Sequence, residues 1–219
     1  MKVFISAGHG GSDPGAVANN VKEKDLNLSI ALACRDLLIK HGVEVRMSRT
    51  KDENDSLSDE IRECNAFSPD LAVSIHNNAG GGDGAEVFHH HGGGKGKVLA
   101  ENILSEIVKV GQNSRGAKIR KNASGNDYYG FIRETSAPAV IVECAFVDNA
   151  QDVKIISTEI DRQKVGQAVA KGILKTLGIE IQSERLYRVQ VGAYLLKENA
   201  EDMKRKIKAV GFDAFIVRE

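Results

Sequence analysis

An α/β fold, with a mostly parallel or mixed sheet of about six strands and helices on both faces, is what this sequence predicts for residues 1–178. Three observations predict it. Short apolar runs at 3–7, 71–75 and 139–142 read as buried strands. Amphipathic stretches of helical period lie between them, so strand and helix alternate at the spacing that calls for such a sheet. Glycine-bearing turns separate the elements.

In chain order, 2–8 is the first strand. From Glu23 to Lys40 the apolar positions Leu26, Ile30, Ala33 and Leu37 keep helical spacing, and Gly42 is a stop signal. Val43, Val45 and Met47 alternate with Glu44, Arg46 and Ser48, a half-buried strand. Ser56-Leu57-Ser58-Asp59 resembles a capping box opening a helix through Phe67. A strand at 71–76 follows, then the turn Gly80-Gly81-Gly82-Asp83-Gly84 and another strand through His91. Residues 97–110 form an amphipathic helix. The polar, basic stretch 111–127 reads as a long surface loop. Strands near 129–133 and 139–143 precede a last helix over about 159–177, ended by Gly178.

The chain has 219 residues, enough for one main domain and a small appendage. Thirty basic and thirty acidic residues cancel, so no global field points to nucleic acid or an anionic membrane surface. No segment approaches the ~20 apolar residues of a membrane span, and no membrane insertion is expected. Only Met1-Lys2 precedes the first strand, which predicts synthesis in the cytoplasm without a signal peptide. Cys34, Cys64 and Cys144 are widely separated without CxxC spacing and are expected to stay reduced and structural.

The chemistry-bearing residues stand where strands run out. His9 follows the first strand within Gly8-His9-Gly10-Gly11-Ser12-Asp13-Pro14-Gly15. Glu23 opens the first helix, His76 ends the 71–76 strand, and Glu143 ends the 139–143 strand. Ligands of open α/β sheets bind outside the carboxyl ends of the strands. Two histidines and a glutamate converging there would make a zinc site with an open position, leaving the other glutamate to handle protons. Spacing alone is a weak motif, since no HExxH is present, and a lone histidine after a strand is more often a satisfied loop residue. The glycine-rich turn has neither a Walker A ending nor the GxGxxG order of dinucleotide folds. Asp13-Pro14-Gly15 reads as a turn signal.

These segments, with Ser74-Ile75-His76-Asn77-Asn78, Gly84-Ala85-Glu86 and Pro138-Ala139-Val140-Ile141-Val142-Glu143, resemble the zinc-dependent N-acetylmuramoyl-L-alanine amidases of the Amidase_3 type. That family comprises autolysins, sporulation lysins and phage endolysins. The resemblance covers about residues 1–178. It implies one Zn2+ per chain held by His9, Glu23 and His76, with Glu143 as catalytic acid/base. It also implies peptidoglycan as substrate, cut at the amide between N-acetylmuramic acid and the L-alanine of the stem peptide. Two departures stand out: Ser6 occupies a position often acidic in the family, and Cys144-Ala145-Phe146 replaces the usual x-Gly-Phe. Glu86, Arg133 and Asn78 are expected substrate contacts, Arg133 through a bidentate grip on a stem-peptide carboxylate. The tract His89-His90-His91 has metal-ligand composition, but on a strand its members point to alternating faces.

Residues 179–185 lose periodicity and read as a linker. Residues 186–219 resemble the first half of a SPOR-type peptidoglycan-binding repeat, a small β-α-β unit. A unit below ~40 residues seldom stabilises itself, so a homodimer through 186–219 is expected. Two other readings stay open: a zinc peptidase or carboxypeptidase acting on wall peptides, and a non-catalytic wall-binding protein. On each of them the chain works at the wall after release by lysis or a membrane pore.

Overall fold

β1 (Lys2–Ala7) sits inside the sheet because four of its six side chains are apolar and every residue from Val3 onward is buried. The glycine-rich turn leads to a two-stranded hairpin, β2 (Val17–Ala18) and β3 (Val21–Lys22), whose Asn19 and Asn20 take the positive φ that such a tight turn needs. Then come α1 (Glu23–Lys40), β4 (Glu44–Met47), α2 (Leu57–Phe67), β5 (Leu71–Asn78) and β6 (Ala85–His89). α3 (Gly94–Lys109), β7 (Ser114–Lys118), α4 (Gly130–Glu134), β8 (Ala139–Phe146), α5 (Ala150–Ile156) and α6 (Glu159–Leu177) complete the first unit. This computed structural model describes residues 1–181 and 189–218.

The chain divides into two units, Met1–Ile181 and Gln182–Glu219. In the first, six strands form one sheet in the order β4-β1-β5-β8-β6-β7. Neighbours run parallel except β6 against β8. The mixed α/β sheet is the architecture that the sequence predicts. Val3, Ile5 and Ala7 pack with Leu26 and Ile30 of α1, Ile103 of α3 and Val169 of α6 in the larger core. Phe4, Ala72 and Ile141 face the other way, onto Cys64 and Phe67 of α2 and Phe131 of α4. Helices thus cover both faces. All three cysteines are buried and unpaired.

The helix limits follow from local chemistry. The Ser56 side chain accepts from the Asp59 amide at the start of α2, and Thr158 does the same for Asp161 at the start of α6. Gly178 ends α6 in the left-handed region.

Four expectations need correction. The segment near 129–133 is not a strand but the helix α4. Phe131 and Ile132 are both buried, and successive residues of a strand point to opposite faces whereas a helical turn lets neighbours share one. The 111–127 stretch holds the edge strand β7, whose half-exposed Ser-Arg-Gly-Ala-Lys has the polarity of a loop because one edge of it meets solvent. β6 stops at His89, so His90 and His91 lie outside the ladder and do not alternate across it.

The fourth correction concerns the second unit. Its described residues form α7 (Lys197–Ala209), flanked by segments without strand pairing where a β-α-β unit is expected. Val189, Leu195, Phe212 and Phe215 are exposed there. Most of the expected linker (179–185), the start of the half repeat (186–188) and Glu219 fall outside the described residues.

Candidate metal centre and catalytic cleft

The parallel strands β1, β5 and β8 end at one edge of the sheet, and that edge collects the site. His9 is two residues beyond β1, while His76 and Glu143 are register partners across β5 and β8. Glu86 enters from the antiparallel β6, opposite Glu143. Glu23 is the first residue of α1, where the unsatisfied amides of a helix N-terminus favour a carboxylate.

His9, Glu23 and His76 come together. Glu23 reaches both rings, with Oε2 3.3 Å from His9 Nε2 and Oε1 3.1 Å from His76 Nδ1. The imidazoles meet edge to face with centroids 5.1 Å apart. One donor atom from each residue lies within 4.8 Å of the other two. The turn that brings them together is sterically demanding. His9 itself has φ +62, a left-handed conformation uncommon for a non-glycine residue. A Cβ on Gly8 would run into the His76 ring, and one on Gly15 into Glu23 and His9.

The supporting shell contains residues that sequence reasoning missed. Asp13, expected only as a turn former, holds His9 Nδ1 at 2.7 Å with its carboxylate. Asn27 donates to Gly8 O and to Glu23 Oε1, and accepts from the Asn77 side chain. Its position one helical turn after Glu23 is the signal that could have found it. The Ala16 and Asn77 amides also donate to Glu23. Arg49, 2% exposed, donates to the carbonyls of Ala7, Gly8 and Lys24, which ties the glycine-rich turn to α1. Ser6 finds its partners away from the family's expected pairing with His9. It is buried with Ser74 and hydrogen-bonds Glu60 of α2.

The electrostatics favour a cation. The Glu23 hydrogen bond raises the His9 pKa to about 9, against the opposing effect of burial. Burial lowers the His76 value, but Glu23 and Glu143 outweigh it and leave it raised. Burial works to raise the Glu23 pKa, yet His76 and His9 hold its carboxyl well below the usual range. One divalent ion would satisfy the two imidazoles and the carboxylate together. Zinc fits that donor set.

Glu143 is chemically distinct from Glu23. Burial pushes its pKa up to about 7, a value suited to exchanging protons near neutrality. Its buried Oε2 has no hydrogen-bond partner. A buried polar atom without a partner is rare and marks a place where substrate or water belongs.

The expected substrate contacts diverge. Glu86 is 6% exposed and held by Asn78, Arg115 and Lys118, so its carboxylate orients two cations and is not open to a ligand. Asn78 donates to it from the end of β5. Arg133 lies on α4, not on a strand, and donates three of its five N–H groups to the carbonyls of Asp127 and Tyr128 and to the Glu134 carboxylate. Tyr129, missed in the sequence, stands near Glu143 and Glu86. Burial is the main cause of its raised pKa, and Glu143 and Glu86 add to it. Arg120 covers the Tyr128 ring at 3.9 Å.

Comparison with known proteins gives two family matches. The profile described as N-acetylmuramoyl-L-alanine amidase matches residues 3–175, and the SPOR domain profile matches 166–218, beginning inside α6. N-acetylmuramoyl-L-alanine amidase CwlM of Bacillus licheniformis is 36% identical over 99% of this chain and 85% of its own length. The sporulation-specific N-acetylmuramoyl-L-alanine amidase of Bacillus subtilis is 35% identical over 99% and 84%. Among solved structures, the catalytic domain of CwlV from Bacillus (Paenibacillus) polymyxa var. colistinus superposes with a TM-score of 0.73. It is 28% identical and covers 82% of this chain and 99% of that domain.

Proposed function

The chain belongs to the N-acetylmuramoyl-L-alanine amidase family, and from that premise we propose that it hydrolyses the amide between N-acetylmuramic acid and the L-alanine of the peptidoglycan stem peptide. The single observation that carries this reading is the buried, unpartnered Glu143 carboxylate beside the His9–Glu23–His76 cluster.

His9, Glu23 and His76 would hold one zinc ion. When bound, the ion supplies Lewis acidity to the scissile carbonyl and to the attacking water. Glu143 accepts the proton of that water and returns it to the departing alanine nitrogen, a role typically worth ~10²–10⁴-fold in rate. Asp13 orients His9, and Asn27 with the Asn77 amide fixes Glu23. Arg115 and Lys118, anchored on Glu86, offer positive charge to carboxylates of the stem peptide.

In the same proposal, residues 1–178 are the catalytic domain, 179–185 a linker and 186–219 a wall-binding unit that pairs with a second copy. The exposed Val189, Leu195, Phe212 and Phe215 support that pairing, because a unit this small buries too little apolar surface alone. No helix among the described residues is long and apolar enough to cross a membrane. Acting on peptidoglycan puts its work at the cell wall.

Digestion of purified sacculi with and without a chelator tests the reaction. New L-alanine amino termini on intact glycan strands, lost with chelator and restored by zinc, are expected. Release of D-alanine in their place would make the enzyme a peptidase and end the proposal.

A further inference from the structure

A second group of metal-ligating side chains lies outside the cleft, built from the histidine tract and a carboxylate thirty-six residues away in sequence. His90 Nε2 is 3.1 Å and His91 Nδ1 2.9 Å from the same oxygen, Asp127 Oδ2. The rings stack with centroids 4.4 Å apart, and one donor atom from each residue lies within 4.8 Å of the others. Asp127 is 3% exposed although it belongs to a polar surface loop. Its other oxygen accepts the His91 amide, which fixes the carboxylate in place. Burial works to raise its pKa, but the His91 side chain and amide prevail and keep it ionised. The chemistry is that of the catalytic cluster, two imidazoles drawn onto one ionised, buried carboxylate.

We propose that His90, His91 and Asp127 form a second divalent-cation site that clamps the 119–129 loop to the end of β6. Two imidazoles and one carboxylate select zinc and similar transition ions over magnesium or calcium, which prefer all-oxygen shells. Three protein ligands leave the remaining positions to water, since His90 and His91 reach the surface.

The site sits where a clamp has consequences. The loop is closed by the Lys121–Asp127 bridge and by the Tyr128 amide donating to Arg120 O. Arg133 ties the carbonyls of Asp127 and Tyr128 to α4. Immediately after Asp127 come Tyr128 and Tyr129, and Tyr129 packs on Phe88 near Glu143. An ion on Asp127 would therefore restrain the segment that leads into Tyr129, beside Glu143.

Loading has one local cost. His90 Nδ1 now accepts the Gly92 amide, whereas a neutral imidazole that coordinates through Nε2 must carry its proton on Nδ1. The Gly92 amide has to turn away to water. The run Gly92-Gly93-Gly94 allows this, since Gly93 and Gly94 already occupy the positive-φ region.

Zinc titration of the metal-stripped full chain, followed by metal analysis after desalting, tests the site. Two ions per chain are expected for the wild type and one for His90→Gln and for Asp127→Asn. His76→Ala should also retain one, now in the outer site. Zinc should slow proteolytic cleavage within residues 121–127 in the wild type and in His76→Ala, with the protection reduced at least tenfold in His90→Gln. His90 is half exposed, so its variant keeps the test valid even where Asp127→Asn fails to fold. A wild-type stoichiometry of one, or a second ion held equally well by His90→Gln, overturns the proposal.

Discussion

At the scale of single residues, the cleft divides its two glutamates by environment. Glu23 has two imidazoles and two amides around it and stays ionised, while Glu143 has burial and an empty oxygen. Glu143→Gln is therefore expected to bind zinc like the wild type and to lose ~10²–10⁴ in kcat. Wild-type turnover in that variant would remove Glu143 from the mechanism. His76→Ala should lose catalytic-site zinc and activity together, read by metal analysis beside the sacculus assay. Asp13 acts through His9, so Asp13→Asn should weaken catalytic zinc about 10- to 100-fold while the fold is kept, with activity recovering in excess zinc. Failure of excess zinc to restore it would show a role other than orienting His9. Four of these positions were legible as strand-end or helix-start residues. Asp13 was not, because a turn carboxylate reveals its partner only once the chain has curved back on itself.

At the scale of elements, α2 carries a buried carboxyl into the base of the sheet. Burial pushes Glu60 up to about 7, with Asp55 adding repulsion and the Ser6 hydrogen bond opposing both. Between pH 4.5 and 7 the folded chain retains a proton that the unfolded chain has given up. Stability from this group is thus full in acid, falls as pH rises through that window, and is a constant penalty above it. That penalty is roughly 3 kcal/mol at most. Glu60→Gln should raise Tm at pH 8 by several degrees and leave it unchanged near pH 4.5. An equal effect at both pH values would mean that packing, not charge, decides it. Ser56→Ala, which removes the side-chain cap of the same helix, should cost about 1 kcal/mol at every pH.

For the molecule as a whole, the two units differ in what they bury. The first closes a core on both sheet faces, whereas α7 of the second buries none of its residues and its flanks leave Val189, Leu195, Phe212 and Phe215 exposed. Light scattering at micromolar concentration should give a dimer for the full chain and a monomer for a version ending at residue 181. A monomeric full chain would refute pairing through the second unit. The shortened version should still cleave soluble muropeptide and bind sacculi less well. The sequence by itself determined the α/β class, most element limits in the first unit, and that His9, Glu23, His76 and Glu143 stand at strand ends or a helix start, because periodicity, caps and strand ends are local properties written in consecutive residues. Tertiary structure alone decided that Phe131 and Ile132 share a helix, that a polar run pairs as β7, and that Asp127 meets His90 and His91. Those outcomes depend on what lies opposite each segment in space, and no window along the chain contains that information.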